Sequence, residues 1–412
     1  MDTKEFVGLE LAHQSAAEWT GKFWLVSSET TAGAMYRVDA DATKCTCEDF
    51  ALTDRPCKHL LAVRHLRAAN RGTPLPERPA DPPKKPAYKQ NWPLYNAAQT
   101  NEKRLFLDLL ADLCRTVPEP AAKATGRPRI PLRDALFAAV FKVYSTVSGR
   151  RFTTDLKAAA SAGHLTRAPH YNSIFRVLED DATTPIFRHL VTLSSLPLKA
   201  VETTFAVDSS GFSTNRFGRW FDKKYGTDRT RAEWVKVHVC VGVKTNVVTA
   251  VEIGGDGDSV MFDPLVRATS ANFALGDVTA DKAYLSKDSV DLVEELGGTP
   301  FVPFKVNSVG DKQGEVWRRM FHYFHLRRAD FLTHYHQRSN VESAFSMMKR
   351  KFGDSLRSKS PVALHNEALA KVLCHNVVVL IHEMHELGIV PTFGDSQPKE
   401  EAEPRILRFP GA

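Results

Sequence analysis

Cysteine is scarce in this sequence, with six among 412 residues. So few cysteines exclude a scaffold held by disulfide bonds and favour a reducing, cytoplasmic setting. The sequence also lacks any apolar run of about 18 residues, the length that a membrane-spanning helix needs. Its N-terminus has neither a basic start nor an apolar stretch. We therefore expect no signal peptide, no transmembrane helix and no membrane partner.

The composition is that of an ordinary globular protein, with 43% hydrophobic and 25% charged residues. At roughly 100–200 residues per domain, the length predicts two to four domains. Positive charge is concentrated in residues 318–359, which hold ten Lys and Arg against three acids, an excess equal to the chain's net charge of +7. This concentration indicates a phosphate-binding surface, because a solvated helix face usually mixes both signs.

Proline separates a small N-terminal module from the rest of the chain. Seven prolines lie within residues 73–93, and proline fixes φ and removes a hydrogen-bond donor. We therefore predict a small ββα module over 1–72 and an extended linker over 73–96. The tail, residues 391–412, is rich in Pro, Glu and Lys and is expected to be disordered.

Residues 97–199 show the apolar spacing of helices and predict a helical domain, with Thr100 capping its first helix. A break at 161–163 separates two short helical stretches, the second over 171–178. This arrangement resembles a helix-turn-helix that binds DNA ends. A plain helical scaffold is an equal alternative.

Residues 200–390 change to alternating strand and helix patterns. The order β-β-β-α-β-α-β-α predicts a mixed sheet flanked by helices, an α/β fold. Two β-rich runs around residues 244–246 indicate a hairpin, and Pro264 is expected to limit the next helix. The predicted strands cover 204–207, 235–243, 247–253, 277–280 and 300–304, and the predicted helices cover 260–268, 289–296, 338–351 and 364–387.

Two of these predicted strands are followed directly by an aspartate, Asp208 in one case and Asp281 in the other. In open α/β sheets, reactive groups gather at the carboxyl ends of strands. The two aspartates therefore share a site if their strands are neighbours. Taken alone, either one is more commonly a turn or helix cap.

A third acid lies in a predicted helix. Tyr335, Arg338, Glu342 and Lys349 follow one another at spacings of three, four and seven residues, which places all four on one face. The other faces carry apolar side chains, so the polar stripe does not belong to the core. A solvated helix face remains an equal alternative for the stripe by itself.

Three carboxylates suit the cleavage of a phosphodiester. Hard cations such as Mg²⁺ bind carboxylate oxygens, and two ions about 3.5–4 Å apart stabilise the attacking and the leaving oxygen. We therefore interpret Asp208, Asp281 and Glu342 as ligands of two metal ions. Arg338 and Lys349 are expected to bind flanking phosphates of DNA.

These motifs resemble the DDE transposases of bacterial insertion sequences, whose signature is Tyr-x2-Arg-x3-Glu-x6-Lys. The sequence matches the signature at Tyr335, Arg338, Glu342 and Lys349, and the contexts AVDSSGF and TADKAYLS around the two aspartates match as well. The resemblance covers about residues 200–388 and implies a ribonuclease-H-like core. Only about 60 residues separate Asp281 from Glu342, which leaves no room for the large β-insertion of some family members.

The resemblance implies an enzyme with Asp208, Asp281 and Glu342 as catalytic residues. It implies two Mg²⁺ ions, which Mn²⁺ can replace, hydrolysis of DNA at element ends, and attack of a 3′-hydroxyl on target DNA. Tyr335 is expected to stack on a base or to contact a phosphate. Double-stranded DNA is the implied partner, with a homodimer or larger assembly on DNA, in a bacterial cytoplasm and associated with the nucleoid.

A second segment has the composition of a DNA-binding surface. Residues 216–236 hold seven basic residues, three acids and five interleaved aromatic residues. Such a mixture pairs with phosphates and stacks on bases, and an exposed basic loop with its aromatics in the core is the open alternative. His238 follows in a strand pattern and is interpreted as structural.

Half of the cysteines fall within 13 residues, where Cys45, Cys47, Cys57 and His59 form the pattern C-x-C-x9-C-x-H. Three Cys and one His suit a tetrahedral Zn²⁺, and a closed set of four ligands is structural. The spacing resembles the SWIM zinc finger, which implies one structural zinc ion in a module that binds DNA or protein. The remaining cysteines lie in apolar patterns and are expected in the core: Cys114, Cys240 and Cys374.

Three functions stay open at the level of the sequence. The first is an active transposase, which the complete set of three acids favours. The second is a captured DNA-binding regulator that no longer transposes. The third is a related nuclease that cuts without joining.

Overall fold

The computed structural model describes residues 3–14, 16–28, 34–53, 56–76, 91–121, 129–214, 234–255, 257–305, 307–310 and 314–393. The chain divides into two compact units, residues 1–89 and 90–412. Most of the expected proline-rich linker and of the expected disordered tail lies outside the described residues.

The N-terminal unit is built on a three-stranded antiparallel sheet with the order β1-β2-β3. Apolar side chains from both the sheet and the helices form its core, including Leu11, Val26, Val38, Leu60 and Val63. The strands are β1 (Ala17–Trp19), β2 (Phe23–Ser27) and β3 (Met35–Asp39), and the helices are α1 (Thr3–His13), α2 (Glu48–Thr53) and α3 (Lys58–Asn70).

Helix α1 extends the ββα module that the sequence predicted. It contains Gly8 near its middle, and glycine disfavours a helix interior. The glycine has a packing reason, because a Cβ at Gly8 would lie only 2.7 Å from the Cβ of Leu61 in α3. The residue that weakens the helical pattern in the sequence is therefore the one that lets α1 approach α3.

The second unit is helical in its first part and alternates strands and helices in its second. The first part comprises α4 (Trp92–Arg115), α5 (Leu132–Ser145), α6 (Gly149–Ser161), α7 (Tyr171–Glu179) and α8 (Thr184–Ser195). The second part comprises β4 (Phe205–Ser213), β5 (Trp234–Gly242), β6 (Val248–Ile253), α9 (Asp258–Ser270), β7 (Asp277–Ala280), α10 (Lys287–Glu295), β8 (Thr299–Phe301), α11 (Glu315–Leu326), α12 (Arg328–Tyr335), α13 (Ser339–Phe352) and α14 (Pro361–Glu386).

These five strands form one mixed sheet with the order β6-β5-β4-β7-β8. The central strand β4 is antiparallel to β5 and parallel to β7. The hairpin between β5 and β6 turns where the sequence predicted, with Asn246 in the left-handed region at a φ of 65°. The predicted α/β fold with a mixed, helix-flanked sheet is confirmed.

Helices cover both faces of the sheet because β4 is apolar on both sides at its start. Successive side chains of a strand point to opposite faces, so Ala206 and Phe212 enter one core while Phe205 and Val207 enter the other. The first core also contains side chains of α4, α5 and α8. The helical region expected as a separate domain therefore shares its core with the sheet, in one compact unit.

The longest helix, α14, runs through the first core. Among the described residues it is the one helix long and apolar enough to cross a membrane, but 94% of its most apolar window is buried inside the protein. The core helix of a globular protein passes the same test. Its apolar composition is accounted for by this packing.

A polar residue of α14 forms hydrogen bonds with the backbone of the edge strand β6. Strand β6 is at the sheet edge, where one side of its backbone has no neighbouring strand. Asn376, which is fully buried, accepts the N–H of Val248 at 2.8 Å and donates to the carbonyl of Val248 at 2.7 Å and to Ser194 Oγ at 3.0 Å. The amide side chain thus replaces a strand partner for β6.

We expect Asn376→Leu to lower the free energy of unfolding by about 2–4 kcal/mol, because a buried N–H and a buried carbonyl of β6 lose their hydrogen-bond partner. Urea denaturation measures this change. Asn96→Leu, on the exposed face of α4, is the control and should change stability by no more than about 0.5 kcal/mol. Equal unfolding midpoints for the two variants would contradict the role of Asn376.

The start of the helical region differs from the expectation. Helix α4 begins at Trp92, inside the expected linker, and Asn91 caps it by accepting the N–H of Leu94 at 3.3 Å. Thr100, expected as the cap, lies within α4 and donates its hydroxyl to the carbonyl of Asn96 at 2.9 Å. The prediction failed because Thr in a helix also satisfies its hydroxyl locally.

Two further expectations require correction. The connection between α6 and α7 spans residues 162–170, which is longer than the three- or four-residue turn of a helix-turn-helix, so DNA-end binding by this region stays a prediction.

Pro264 lies inside α9 and does not limit it. The helix continues past this proline because Phe262, Leu265 and Val266 are anchored in the second core.

Candidate active site and metal centre

The register of the sheet brings the two predicted aspartates together. The parallel pairing of β4 with β7 ends with Val207 opposite Ala280. Asp208 and Asp281 are the next residues, so both lie at the same end of this ladder. The expectation that their strands are neighbours is confirmed.

Asp208 does not end its strand, contrary to the expectation. Strand β4 continues to Ser213 and stays paired with β5, with Asp208 opposite Val239. The strand is longer than its apolar run because its antiparallel partner continues after β7 has ended. Asp281, by contrast, follows β7 and caps a short 3-10 turn by accepting the N–H of Lys282 at 2.6 Å.

The third acid, Glu342, lies on a helix beside the sheet. Helix α12 ends at Tyr335, residues His336–Arg338 form a 3-10 turn, and α13 carries Glu342 in its first turn. Tyr335 and Arg338 therefore precede the helix on which the sequence placed them. The apolar positions on the other faces of α13 are buried as predicted: Val341, Phe345 and Met348.

Arg338 joins two of the three acids. Its Nη1 donates to Oδ2 of Asp208 and its Nη2 donates to Oε1 of Glu342, both at 2.6 Å. The side chains of Arg338 and Asp208 are 19% and 20% exposed, whereas that of Glu342 is 60% exposed. A half-buried guanidinium thus stands between a carboxylate of the sheet and a carboxylate of the helix, where the sequence predicted only a contact to phosphate.

The three carboxylates act on one another electrostatically. Burial raises the pKa of Asp208 above its ordinary value, and the charges of Asp281 and Glu342 raise it further. The N–H of Ser209 and the charge of Arg338 oppose this shift. The three acids are therefore within electrostatic reach of one another, although their ligand atoms do not all lie within 4.8 Å of one another. Carboxylate oxygens are the ligands that Mg²⁺ prefers, and Arg338 already supplies positive charge at this place, so the donor set fits a divalent cation.

The other two signature residues also lie near Asp208. Nζ of Lys349 donates to Ser210 Oγ at 2.7 Å, and the same nitrogen lies 5.4 Å from the ring centroid of Phe212. Ser210 is two residues beyond Asp208 and therefore on the same face of β4. Burial raises the pKa of Tyr335, and the charges of Asp281 and Asp208 contribute to this shift. The signature residues thus lie near Asp208, and the roles predicted for them stay predictions.

A second polar cluster, which the sequence reasoning missed, lies on the other face of β4. Ser209, next to Asp208, donates to Oδ1 of Asp258 at 2.9 Å, and Nζ of Lys236 is 2.5 Å from the same oxygen. Burial raises the pKa of Asp258, but the hydrogen bonds from Lys236 and Ser209 bring this pKa below its ordinary value. His238 is fully buried with Nδ1 3.5 Å from Asp258, as suits the structural role expected for it.

The predicted zinc ligands converge in the N-terminal unit. The ligand atoms of Cys45, Cys47, Cys57 and His59 all lie within 4.8 Å of one another, and the four residues are buried. Within the described ranges no group of three or more carboxylates is packed this closely. Nδ1 of His59 is 3.9 Å from Sγ of Cys45 and from Sγ of Cys57. Four buried sulfur and nitrogen donors fit a closed, tetrahedral Zn²⁺ site.

Both the sheet and a helix supply these ligands. Cys45 pairs with Val38 beside β3, and Cys57 is the N-terminal cap of α3, which carries His59 in its first turn. Hydrogen bonds from Cys45 and from His59 hold the pKa of the Cys57 thiol well below its usual range. The other cysteines are buried, as predicted: Cys114, Cys240 and Cys374.

The basic segment 318–359 is partly structural. Arg319 pairs with Glu294, and Lys351 pairs with Glu102 of α4. Other cations of the segment are exposed and remain available for phosphate: Arg318, Arg327, Arg328, Arg350 and Lys359. The basic and aromatic segment 216–236 lies outside the described residues apart from its last three positions.

The fold and the two sites define an α/β protein that combines two acids of a mixed sheet and one acid of a flanking helix with a Cys₃His centre. Residues 199–377 match the family model of the transposase DDE domain, and residues 36–63 match that of the SWIM zinc finger. Among solved structures, the chain is similar to the piggyBac transposase in a cryo-EM structure of its synaptic complex with hairpin DNA, at 10% identity over 74% of this chain and 78% of that chain, with a TM-score of 0.34. The chain is thus a protein with a DDE transposase domain and an N-terminal SWIM zinc finger, as its motifs predicted.

Proposed function

We propose that this protein is a transposase that cleaves DNA at the ends of a mobile element and joins those ends to target DNA. One observation supports the proposal. The strands before Asp208 and Asp281 are paired in register, and Arg338 donates to both Asp208 and Glu342, within the range that matches the transposase DDE domain.

Asp208, Asp281 and Glu342 would hold two Mg²⁺ ions, or Mn²⁺ in their place, which supply the charge that stabilises the attacking and the leaving oxygen. The protein contributes the fixed placement of the three carboxylates. Asp208 and Asp281 are held by paired strands and Glu342 by a packed helix. Rigid elements suit this task because small displacements of catalytic groups cost much activity.

The residues around the acids would bind the DNA strand. Arg338 offers a planar fork that matches a phosphate, and Lys349 offers a point charge. Tyr335 would stack on a base or contact a phosphate. The exposed cations of residues 318–359 extend the positive surface beyond the acids.

The assembly implied by this function has several components. Double-stranded DNA is the partner, both at the element ends and at the target. Pairing of two ends requires a homodimer or a larger assembly, by analogy with the fold family. Cys45, Cys47, Cys57 and His59 hold one structural Zn²⁺ in a module that binds DNA or protein. The bacterial cytoplasm, close to the nucleoid, is the expected location.

Two assays with the full-length protein separate this function from its alternatives. DNA that carries the sequences flanking the gene should be cleaved with Mg²⁺ and remain intact with EDTA. A pre-cut end with a free 3′-hydroxyl should be joined to a plasmid, while the same end with a 3′-deoxy terminus should not. Cleavage without joining would assign a nuclease, and binding without either reaction would assign a DNA-binding regulator; both results contradict the proposal.

A further inference from the structure

A cavity of about 280 Å³ lies between α5, α7 and the segment that joins α13 to α14. This volume is close to the lower end of the range for small-molecule sites, about 300–1,000 Å³. The cavity is not part of the carboxylate site. Phe352, which lines it, is the last residue of α13, about 15 Å along the helix axis from Glu342.

Lys142 of α5 is the unusual residue in this cavity. Its side chain lines the cavity and the residue is only 8% exposed. Within the part of the chain that the structure describes, its ammonium group has neither a hydrogen-bond acceptor nor a carboxylate at ion-pair distance. Burial and the positive charge of Arg357 lower the pKa of Lys142, and Glu367 acts in the opposite direction. An ammonium group that opens on a cavity and has no counter-charge favours an anionic ligand there.

Glu367 is the buried acid among the described residues that line the cavity, and it forms no ion pair with Lys142. The two oxygens of Glu367 accept the backbone N–H groups of Arg357 and Ser358 at 2.8–3.0 Å. Lys371 donates from Nζ to three backbone carbonyls at 2.7–3.0 Å. These bonds fix the wall of the cavity, and neither group bonds to the ammonium of Lys142.

The entrance of the cavity adds two features. Phe175 of α7 is 39% exposed, although it is a large apolar ring, and Lys359 is an exposed cation. An accessible aromatic ring stacks on nucleic-acid bases without regard to their sequence. The exposed lining charges are the cations Arg357 and Lys359 and the acid Glu179, so a positive excess remains that favours an anionic ligand. Together these groups fit a phosphate that is joined to a planar base.

We propose that this cavity binds one nucleotide, with its phosphate at Lys142 and its base against Phe175. The nucleotide is either free in solution or part of a DNA strand, and both present the same phosphate and base. Binding of a free nucleotide is independent of the proposed transposase function, whereas binding of a DNA nucleotide rests on it and would add a contact to DNA remote from the carboxylates.

Isothermal titration calorimetry on the full chain tests this proposal with three probes: inorganic phosphate, dAMP and a single-stranded tetranucleotide. The variants are Lys142→Met, Phe175→Ala and Lys157→Met. Methionine is apolar and unbranched like the stem of lysine. Lys157 is an exposed lysine of α6 that does not line the cavity, so its variant is the matched control.

We expect Lys142→Met to weaken binding of dAMP or of the tetranucleotide at least tenfold, and Lys157→Met to leave it unchanged. Phe175→Ala should weaken dAMP binding but not phosphate binding. Without ligand, the melting temperature of Lys142→Met should equal or exceed that of the wild type, because an uncompensated buried charge is removed. A loss with the tetranucleotide alone identifies DNA as the source, and a loss with dAMP identifies the free nucleotide.

The proposal is overturned if the wild type binds none of the three probes, or if their affinities are the same in Lys142→Met and Lys157→Met. Failure of the cleavage and joining assays leaves the dAMP titration unaffected. A failure of this proposal can therefore be distinguished from a failure of the proposed function.

Discussion

Asp208→Asn should abolish DNA cleavage and joining while leaving DNA binding and folding intact. The side chain of Asp208 is only 20% exposed, and its carboxylate oxygen accepts a hydrogen bond from Arg338. The amide keeps the size of the side chain but removes a negative metal ligand. We expect cleavage to fall by on the order of 10³-fold or more, because charge stabilisation at the reacting phosphate is lost. Stability should be retained because Arg338 keeps Glu342 as its partner.

Cleavage of end-labelled DNA in Mg²⁺ measures this effect, and a gel-shift assay measures binding in parallel. Glu342→Gln should behave in the same way, and because the side chain of Glu342 is 60% exposed, this change should leave folding intact. Asp288→Asn, an exposed acid in the first turn of α10, is the matched control and should cleave normally. Wild-type cleavage by Asp208→Asn or by Glu342→Gln would refute the assignment of the active site.

Cys57→Ser should release zinc and unfold the N-terminal unit alone. Structural zinc sites in small modules contribute apparent binding free energies of about 10–16 kcal/mol, and the core of this unit is small and includes three of the zinc ligands. A hydroxyl is a poor replacement for a thiolate zinc ligand at the N-cap position of α3. Residues 90–412 have cores of their own and should stay folded.

Mass spectrometry under native conditions measures the zinc content, and hydrogen exchange locates the unfolded part of the chain. Cys374→Ser is the matched control, because Cys374 is equally buried but lies in the core of the second unit. This control should retain its zinc. Unchanged zinc content in Cys57→Ser, or loss of protection across both units, would remove the claim of a separate zinc-dependent module.

The secondary structure was predictable where the pattern was short and well bounded. Strand β7 was predicted residue for residue, since Asp277 and Asp281 delimit it. Helix α1 was missed because Gly8 weakens its pattern, and only the packing on α3 explains that glycine. Helix α11 was missed although Trp317, Met320 and Phe324 recur at helical spacing and are buried. Basic and aromatic residues surround these three positions and obscure the apolar period.

The candidate site was predictable in its residues but not in their partners. Residue types and spacing identified the three acids, whereas the bridge from Arg338 depends on how α13 packs against β4. The cluster at Asp258 depends on the register that places Ser209 opposite His238. Lys142 lies between apolar residues in a helical segment. That pattern does not predict that its side chain lines a cavity.

The bridge through Arg338 has a consequence for the order of events at the active site. A guanidinium that holds two carboxylates cannot at the same time hold a phosphate with the same nitrogens. In the proposed function, Asp208 and Glu342 would hold metal in place of Arg338, and the fork of Arg338 would become available to a DNA strand. Metal and DNA would then bind cooperatively, each raising the affinity for the other by the same factor. Without metal, Arg338 occupies one oxygen of each of two acids, so the protein needs both metal and DNA before these groups take up their proposed roles.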